Sequence, residues 1–342
     1  MSKSITDVTE RRANRRTLLK GAAVAGLAAT PLMPSLVSAQ EPMKVAFSVP
    51  GLNFPFFVHM MDLARTHVET NYPDVEFISL DGQENGAPSS TKQSNDIDAI
   101  IAQGVQALVI SPNDGAALAP AVQAAIDAGL VVATVDRTVA DVATIAHVGA
   151  DNVEGGRIQA RYLMEILPEG GDIIELQGQP GATPAIDRHA GLEEVLSGQD
   201  LINVAVSQTA EFARARAVTV LEAALASNPN PVAVVCANDD MAFGAIEALA
   251  DADLTIPVLG FDALPEALIA IQSGTMAATI EQFPGQQATT AIDIVLAKLM
   301  NGTDPAEHDT YLIPINITMD NLAEAERAVE AGIATPEASP AA

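Results

Sequence analysis

From Lys44 onward, short apolar runs rich in β-branched residues alternate with longer helical patterns, and this alternation limits the folds open to the chain. Eleven runs are predicted as strands: Val45–Val49, Val75–Leu80, Ala107–Ile110, Val131–Val135, Ile145–Val148, Asp172–Leu176, Ile202–Ser207, Val232–Cys236, Pro257–Leu259, Ala277–Ile280 and Tyr311–Ile315. Helical segments between them include Phe56–Glu69, Thr91–Gln103, Ala116–Ala128, Val153–Leu167, Arg214–Ala226 and Gln286–Met300. Continuous apolar strands separated by helices are typical of parallel sheets covered on both faces.

Eleven strands are too many for one compact open sheet with one core, and 342 residues suit two domains of ordinary size. The predicted fold class is therefore α/β, with two doubly wound parallel-sheet lobes. We expect the boundary near Ala150, because Asp151 can cap the helix that follows. Residues Asn321–Gly332 are predicted to form one amphipathic helix, and the Pro/Ala-rich Thr335–Ala342 is predicted to be disordered.

The first 39 residues have the features of an export signal. Asn14–Lys20 resembles the twin-arginine motif, and the apolar stretch Gly21–Ala29 follows it. Val37-Ser38-Ala39 then offers a small-residue cleavage site. The apolar stretch is too short for a spanning helix. We therefore expect export by the twin-arginine route, cleavage near Ala39 and a periplasmic mature protein.

The charge balance excludes some partners. The formal net charge is −27, and it becomes −31 without residues 1–39, which hold 6 basic and 2 acidic residues. Such a field repels nucleic acid and anionic membranes, so neither is expected as a partner. Cys236 is the only cysteine and lies in an apolar run, which excludes a disulfide framework.

Four predicted strands end at a small polar cluster. These clusters are Asp136-Arg137, Asn238-Asp239-Asp240, Phe261-Asp262 and Glu281-Gln282. In open α/β sheets, ligands bind outside the carboxyl ends of the strands. Donors, acceptors and an aromatic ring at those ends predict a pocket for a small molecule with many hydroxyl groups.

Taken in order, seven stretches resemble the ribose-binding-protein family of ABC-importer substrate-binding proteins, which has the type I periplasmic binding fold. They are Asn53–Phe57, Asp136-Arg137, Asp151–Gly156, Glu175–Gly178, Ala237–Ala242, Gly260–Asp262 and Thr279–Gln282. The resemblance runs from about Lys44 to Ile317. It implies a ligand held between two lobes, closure on that ligand, and delivery to a membrane permease driven by an ATPase.

The resemblance also implies a three-stranded hinge, which the chain crosses near Ala150, Phe283 and Pro314. The N-terminal lobe would comprise residues 40–150 and 283–313, and the C-terminal lobe residues 151–282 and 314–320. Residues 321–342 would be a partly disordered tail. We expect a monomer without a cofactor or a metal.

Thirteen residues are expected to bind ligand: Asn53, Phe54, Phe56, Phe57, Ser111, Asp136, Arg137, Arg188, Phe212, Asn238, Phe261, Asp262 and Gln282. By resemblance, Phe56, Phe57 and Phe212 would sandwich a sugar ring, whose faces carry C–H groups.

The polar members of this set would bind the ring edge. Asp136 and Asp262 would accept hydroxyl hydrogens, and such a charged acceptor contributes about 1.5–3 kcal/mol per bond. Arg137 would donate to ligand oxygens and keep these carboxylates from being buried unpaired. Asn238 and Gln282 can donate and accept at once, which suits hydroxyls. The structural alternative is helix capping for Asp136 and Asp262 and an Asx turn for Asn238.

Three positions depart from the ribose pattern. Phe54 and Ser111 each stand where that family's ribose binders carry an Asn, and Ile186 stands where they carry an Arg. Arg188, two residues on, could substitute for that Arg or merely pair with Asp187. The expected ligand is therefore a small sugar or polyol: a pentose, a deoxy sugar or a sugar alcohol.

Three other functions are weighed against transport. An enzyme is not expected, because the chain has no HExxH, P-loop or GxSxG motif, and Asp239-Asp240 beside Asp262 lacks a water-activating partner. A repressor effector domain would carry a basic DNA-binding head. A sensory binding protein that presents a sugar or signal molecule to a chemoreceptor or sensor kinase remains the alternative, because its pocket would be the same.

Overall fold

The structure is a computed structural model that describes residues 42–335. The predicted export signal in residues 1–39 lies outside the described residues, as does nearly all of the Pro/Ala-rich end.

The elements of the first half of the described chain are β1 (Met43–Val49), α1 (Pro55–Asn71), β2 (Val75–Asp81), β3 (Gln83–Glu84), β4 (Ala87–Pro88), α2 (Ser90–Ala102), β5 (Ala107–Ile110), α3 (Gly115–Asp127), β6 (Val131–Val135), β7 (Ala146–Ala150) and α4 (Asn152–Ile166). Those of the second half are β8 (Gly171–Gln177), α5 (Thr183–Leu196), β9 (Ile202–Thr209), α6 (Arg214–Ser227), β10 (Ala233–Cys236), α7 (Asp239–Asp251), β11 (Val258–Leu259), α8 (Pro265–Gln272), β12 (Thr279–Glu281), α9 (Pro284–Asn301), β13 (Asp309–Leu312), β14 (Ile315–Ile317) and a 3₁₀ turn at Leu322–Glu324.

The larger sheet has six strands in the order β13-β7-β6-β5-β1-β2, and every pairing in it is parallel. Strands β5 and β7 are buried at every position. Burial on both faces is what the continuous apolar runs predicted, because helices cover each side of such a sheet. This sheet and its helices form the N-terminal lobe.

The smaller sheet has four parallel strands in the order β11-β10-β8-β9 and forms the C-terminal lobe with its helices. A bridge between Leu259 and Ala278 extends it toward β12. Strand β12 pairs antiparallel with β14. The prediction of an α/β chain with two parallel sheets is confirmed.

The chain passes between the sheets at three places. Strand β7 ends at Ala150, and the Asp151 carboxylate accepts from the backbone N–H of Glu154 to cap α4. Phe283, with φ of 57°, precedes α9, which packs back against β5, β6 and β7. Pro314 stands between β13, which joins the larger sheet, and β14, which pairs with β12.

The prediction of one strand over Tyr311–Ile315 is wrong. The run contains the end of β13 and the start of β14, with Pro314 between them. Proline has no backbone N–H to donate to a sheet, so the strand is interrupted there. Each half then pairs with a different lobe.

The prediction of a helix over Asn321–Gly332 is also wrong, because only Leu322–Glu324 forms a 3₁₀ turn and the rest forms turns and bends. The segment is held by side chains of the body instead. The backbone N–H of Glu326 donates to the Glu281 carboxylate at 2.8 Å, and Leu322, Ala325 and Ala328 are buried. Tertiary contacts have replaced the regular pattern of a helix.

The main hydrophobic core runs through both lobes and includes the aromatic residues between them. Two smaller clusters fill the other faces of the sheets, one around Leu108 and Ile97 and one around Ile173 and Leu163. None of the helices within residues 42–335 combines the length and the apolar character needed to span a bilayer.

Candidate functional site

A cavity of about 330 Å³, part of it open to solvent, lies where strand ends of the two lobes face each other. It is lined by Phe54, Phe56, Phe57, Asp136, Arg137, Pro184, Arg188, Phe212, Asn238, Asp262 and Gln282. Ten of the thirteen residues predicted from the sequence therefore line one cavity. They come from distant parts of the chain. Within each lobe the carboxyl ends of parallel strands share one edge, and the cavity forms where the edges of the two lobes face each other.

The aromatic residues come from both lobes. Phe56 and Phe57 lie in the first turn of α1, after Pro55, and their rings meet edge to face at 5.1 Å between centroids. Phe54 contacts Phe57 in the same way at 6.2 Å. Phe212 belongs to the C-terminal lobe, in the turn before α6, where its φ of 58° is left-handed. The cavity thus has apolar walls on both sides.

Asp136 and Arg137 follow β6 and supply the charge of the N-terminal lobe. Both are 4% exposed, and the Arg137 Nε lies 3.6 Å from an Asp136 carboxylate oxygen. One Arg137 nitrogen donates to the carbonyl of Asn113 at 3.1 Å. The guanidinium lies 5.4 Å from the ring centre of Phe57 and 5.7 Å from that of Phe212. Arg137 therefore sits between the two aromatic walls.

Arg188, Asp262 and Gln282 supply the polar groups of the C-terminal lobe. The Gln282 amide donates to an Asp262 carboxylate oxygen at 2.6 Å, and Arg188 lies 3.7 Å from the same oxygen. Arg188 also donates to Asn152 Oδ1 at 2.8 Å and to the carbonyl of Ala237. Its guanidinium is therefore held on several sides beside the cavity.

Asn238 follows β10 and has two structural partners as well as a place in the cavity wall. Its Oδ1 accepts from the backbone N–H of Met241 at 2.9 Å and caps α7, and its Nδ2 donates to the carbonyl of Phe212 at 3.3 Å. The oxygen of Asn238 therefore caps a helix, a structural role that exists beside any role in binding. One amide hydrogen remains for a ligand. Pro184 also lines the cavity, and no sequence signal singled it out.

Three predicted residues do not line the cavity. Asn53 is exposed. Ser111 is fully buried behind the wall, where its hydroxyl donates to Asp136 at 3.3 Å. Phe261 is also fully buried, and the Arg188 guanidinium stacks 3.6 Å from its ring centre. Ser111 and Phe261 therefore support cavity residues from behind.

Ile186, which stands where the family's ribose binders carry an Arg, is 56% exposed and does not line the cavity. Arg188 lines it instead. Both residues lie on α5, and two residues along a helix point to nearly opposite faces. The place of Arg188 fits the alternative that it substitutes for that Arg, and the cavity edge then has a cation.

Two buried cations and two buried carboxylates balance one another around the cavity. Burial raises the pKa of Asp262 to about 7, and Arg188 opposes this shift. Burial also raises the pKa of Asp136, which Arg137 opposes, and it lowers the pKa of Arg137 to about 10. Each charged form is therefore poorly solvated, and further hydrogen bonds to it would be favourable.

Two polar atoms on the cavity-lining side chains are buried and have no hydrogen-bond partner. They are the donor Nε of Arg137 and the acceptor Oε1 of Gln282. Leaving such a group unpaired costs about 1–3 kcal/mol. A molecule with an acceptor and a donor of its own can satisfy both.

Residues 45–304 match the family described as periplasmic binding protein domain. The chain therefore belongs to the periplasmic binding protein family. Members of this family are substrate-binding proteins that serve transporters, and membership implies a periplasmic location. The predicted family resemblance and the type I periplasmic binding fold are confirmed.

Particular relatives share most of the chain. The ribose import binding protein of Bacillus subtilis (strain 168) is 34% identical over 266 residues, which cover 77% of this chain and 85% of that protein. The crystal structure of the Caulobacter myo-inositol binding protein, bound to myo-inositol, superimposes with a TM-score of 0.78 at 37% identity, covering 84% of this chain and 97% of the other. The periplasmic binding protein of the arabinose ABC transporter from Shewanella sp. ANA-3, bound to L-arabinofuranose, gives a TM-score of 0.78 at 28% identity, with 86% and 97% covered.

Proposed function

We propose that this protein captures a small sugar or polyol in the cavity between its lobes and delivers it to an ABC importer in the inner membrane. The observation that carries the proposal is the pairing of aromatic walls with a ring of charged and amide groups. Sugars and cyclic polyols present C–H groups on their faces and hydroxyls at their edge. The cavity offers the complement of both surfaces.

The unpartnered atoms support a ligand rich in hydroxyls. A hydroxyl can accept from Arg137 Nε, and it can also donate to Gln282 Oε1. Asp136 and Asp262 provide charged acceptors for further hydroxyls, whose hydrogen bonds are stronger than those of neutral acceptors. The enclosed part of the cavity is small, which favours a single ring or a short chain.

The candidate ligands are pentoses, deoxy sugars and sugar alcohols, including cyclic ones. Arg188 restores a cation at the cavity edge, so fully hydroxylated ligands are as well served as deoxy sugars. The relatives are named for ribose, arabinose and myo-inositol, and one at 30% identity is a xylitol-binding protein of Mycolicibacterium smegmatis.

Thermal unfolding against a panel tests the proposal. The panel comprises D-ribose, L-arabinose, 2-deoxy-D-ribose, xylitol and myo-inositol, with titration calorimetry for any compound that raises the midpoint. A ligand at 100 times its dissociation constant stabilises the protein by about 2.7 kcal/mol, which is a clear shift. A protein that none of these compounds stabilises, and that binds none by calorimetry, would refute sugar or polyol capture.

A cavity variant and a matched control assign the binding to this site. Asn238→Ser keeps an oxygen that can cap α7 but removes the amide donor, whereas Asn238→Ala would also lose about 0.5–2 kcal/mol of capping. We expect Asn238→Ser to weaken binding about tenfold. Asn203→Ser, in β9 and bonded to Asp172, should bind as the wild type does. Equal affinities in all three proteins would exclude this cavity as the site.

Delivery to an importer requires its own measurement. Cells that lack this protein should lose high-affinity uptake of the radiolabelled ligand and regain it when the gene is restored. Normal uptake in those cells, combined with tight binding in vitro, would favour the sensory alternative.

We also propose that the chain is exported by the twin-arginine route, is cleaved near Ala39 and works as a monomer. The motif Asn14–Lys20 supports the route. Arg15→Lys combined with Arg16→Lys should block export, and secretion at the wild-type level would mean that another pathway is used. Intact mass spectrometry of the exported protein reports the cleavage point, and native mass spectrometry reports the oligomeric state.

A further inference from the structure

We propose that Gln179 is a positioning residue that links the two lobes in the closed protein and holds the ligand-facing Arg137 in place. The inference rests on the proposed capture of a ligand between the lobes. It adds a group outside the cavity wall to the residues that set affinity.

Gln179 lies in the C-terminal lobe, between β8 and α5, and contacts the N-terminal lobe with both ends of its amide. Its Nε2 donates to Asn113 Oδ1 at 2.8 Å and to the carbonyl of Asn113 at 3.4 Å. Its Oε1 accepts from Arg137 at 3.4 Å. Asn113 lies between β5 and α3 in the N-terminal lobe, so every one of these contacts crosses from one lobe to the other.

The N-terminal lobe holds Asn113 ready for this contact. Its backbone N–H donates to Gln93 Oε1 at 2.7 Å, and its Nδ2 donates to the Ser90 hydroxyl at 3.1 Å. Gln93 is fully buried, and its Nε2 donates to the Ser48 hydroxyl and to the carbonyl of Ser111. Asn113 Oδ1 is therefore fixed in space as an acceptor that faces the other lobe.

Two neighbouring contacts cross at the same edge. The backbone N–H of Thr138 donates to the Thr183 hydroxyl at 3.2 Å. Gly181, at φ of +84°, lies so close to Asp114 that a Cβ there would come within 2.5 Å of its carboxylate. Together with Gln179 these contacts define an interlobe latch, formed by Asn113, Thr138, Gln179 and Thr183.

The residues of the latch are separate from those of the cavity wall. None of its four members lines the cavity. Its hydrogen bonds join opposite lobes, so they are lost when the lobes separate and they stabilise the closed form with or without a ligand. Arg137 belongs to both systems, because it lines the cavity and bonds to Gln179 and Asn113. A ligand that orders Arg137 therefore strengthens the latch, and the latch lowers the cost of closure for the ligand.

The first test measures lobe separation and needs no ligand. Spin labels are attached to Ala124→Cys on α3 and Glu193→Cys on α5, both exposed positions, while the native Cys236 is buried. We expect Gln179→Ala to lower the ratio of closed to open molecules about tenfold. The matched control is Gln177→Ala, two residues away, because Gln177 bonds to Ser207 within the C-terminal lobe. The control should leave the ratio unchanged.

The second test repeats the measurement with saturating D-ribose or myo-inositol and follows dissociation by stopped flow. Gln179→Ala should speed dissociation about tenfold, with little change in association, whereas Gln177→Ala should behave as the wild type. Identical ratios in the wild type and Gln179→Ala, with and without these probes, would overturn the inference. So would a wild-type protein that is fully open in every condition, because the bonds would then not form in solution.

The two proposals fail in different ways. If neither probe binds the wild type, sugar capture is in doubt, while the ligand-free ratio still decides the role of Gln179. If a probe binds but Gln179→Ala leaves both the ratio and dissociation unchanged, capture stands and the latch does not.

Discussion

Replacing Asp262 by Asn should make the ligand-free protein more stable and its ligand affinity lower. Asp262 is 5% exposed, accepts from Gln282 at 2.6 Å and lies 3.7 Å from Arg188. Its φ is 108°, a conformation that Asn adopts more readily than Ala. Asn also keeps the oxygen to which Gln282 donates, so the substitution removes little besides the charge.

The stability change follows from the pKa of Asp262, which burial raises from 3.8 to about 7. A carboxyl group with a raised pKa is harder to ionise in the folded protein, so stability falls as pH rises from the unfolded value through 7. The difference between 3.8 and about 7 corresponds to about 4 kcal/mol when the group is fully ionised. Asn resembles the neutral acid at every pH. Asp262→Asn should therefore gain up to about 4 kcal/mol at pH 8, and less than half of that at pH 5.

The affinity should change in the other direction. Hydrogen bonds to a charged acceptor contribute about 1.5–3 kcal/mol and those to a neutral one about 0.5–1.5 kcal/mol. If one or two ligand hydroxyls donate to Asp262, the affinity should fall about 10- to 100-fold. A residue placed for ligand binding thus lowers the stability of the empty protein.

Urea unfolding at pH 5 and pH 8 measures the first effect, and titration calorimetry with the ligand from the panel measures the second. Asp200→Asn, at an exposed position of the same lobe, is the matched control and should change neither. The reasoning is refuted if Asp262→Asn is less stable than the wild type at pH 8. It is equally refuted if the stability difference is the same at both pH values.

Three further predictions concern buried groups. Ligand hydroxyls favour ionised Asp262, so binding should release a proton, and the dissociation constant should rise up to tenfold per pH unit as the pH falls below about 7. Calorimetry in buffers of different protonation enthalpy measures the proton release. A dissociation constant that does not change from pH 5 to 8 would contradict the prediction. In Gly155→Ala the new Cβ would lie 2.6 Å from the ring of Phe261, on which Arg188 stacks. We expect about 1–3 kcal/mol of destabilisation, measured by urea unfolding, and weaker ligand binding, measured by calorimetry. Wild-type values in both assays would show that the ring moves freely. Burial lowers the pKa of His147 to about 4, so the protein should lose about 3 kcal/mol of stability as the pH falls from 6.5 toward 4. His147→Gln should not show this loss when acid unfolding is followed by circular dichroism.

Much of the site could be predicted because it depends on strand ends. Asp136, Asn238, Asp262 and Gln282 each follow an apolar strand, and parallel strands place such residues at one edge. Within each lobe their convergence needed only the order of strands and helices, whereas the meeting of Asp136 with the other three depends on how the lobes face each other. Phe56 and Phe57 were indicated by the family resemblance, and they too follow a strand, β1, and open the next helix.

The direction of individual side chains could not be predicted in the same way. Phe261 and Asp262 are neighbours, yet one lies beneath Arg188 and the other faces the cavity. Ile186 and Arg188 share α5, and the orientation of that helix alone decides which of them lines the cavity. The direction of a side chain depends on how its helix or strand is rotated against its neighbours, and a local sequence pattern does not record that rotation.

By itself, the sequence determined that this chain forms two parallel-sheet lobes with polar groups at the strand ends, because burial on both faces leaves a continuous apolar run in each strand. Only the tertiary structure decided that the apolar run interrupted by Pro314 forms strands in two different sheets. It also decided that residues 321–334 pack as turns against the rest of the protein. It alone brought Gln179 against Asn113 and Arg137. These contacts join residues 42 to 66 positions apart, and their partners are set by how the lobes meet and not by any neighbour in the chain.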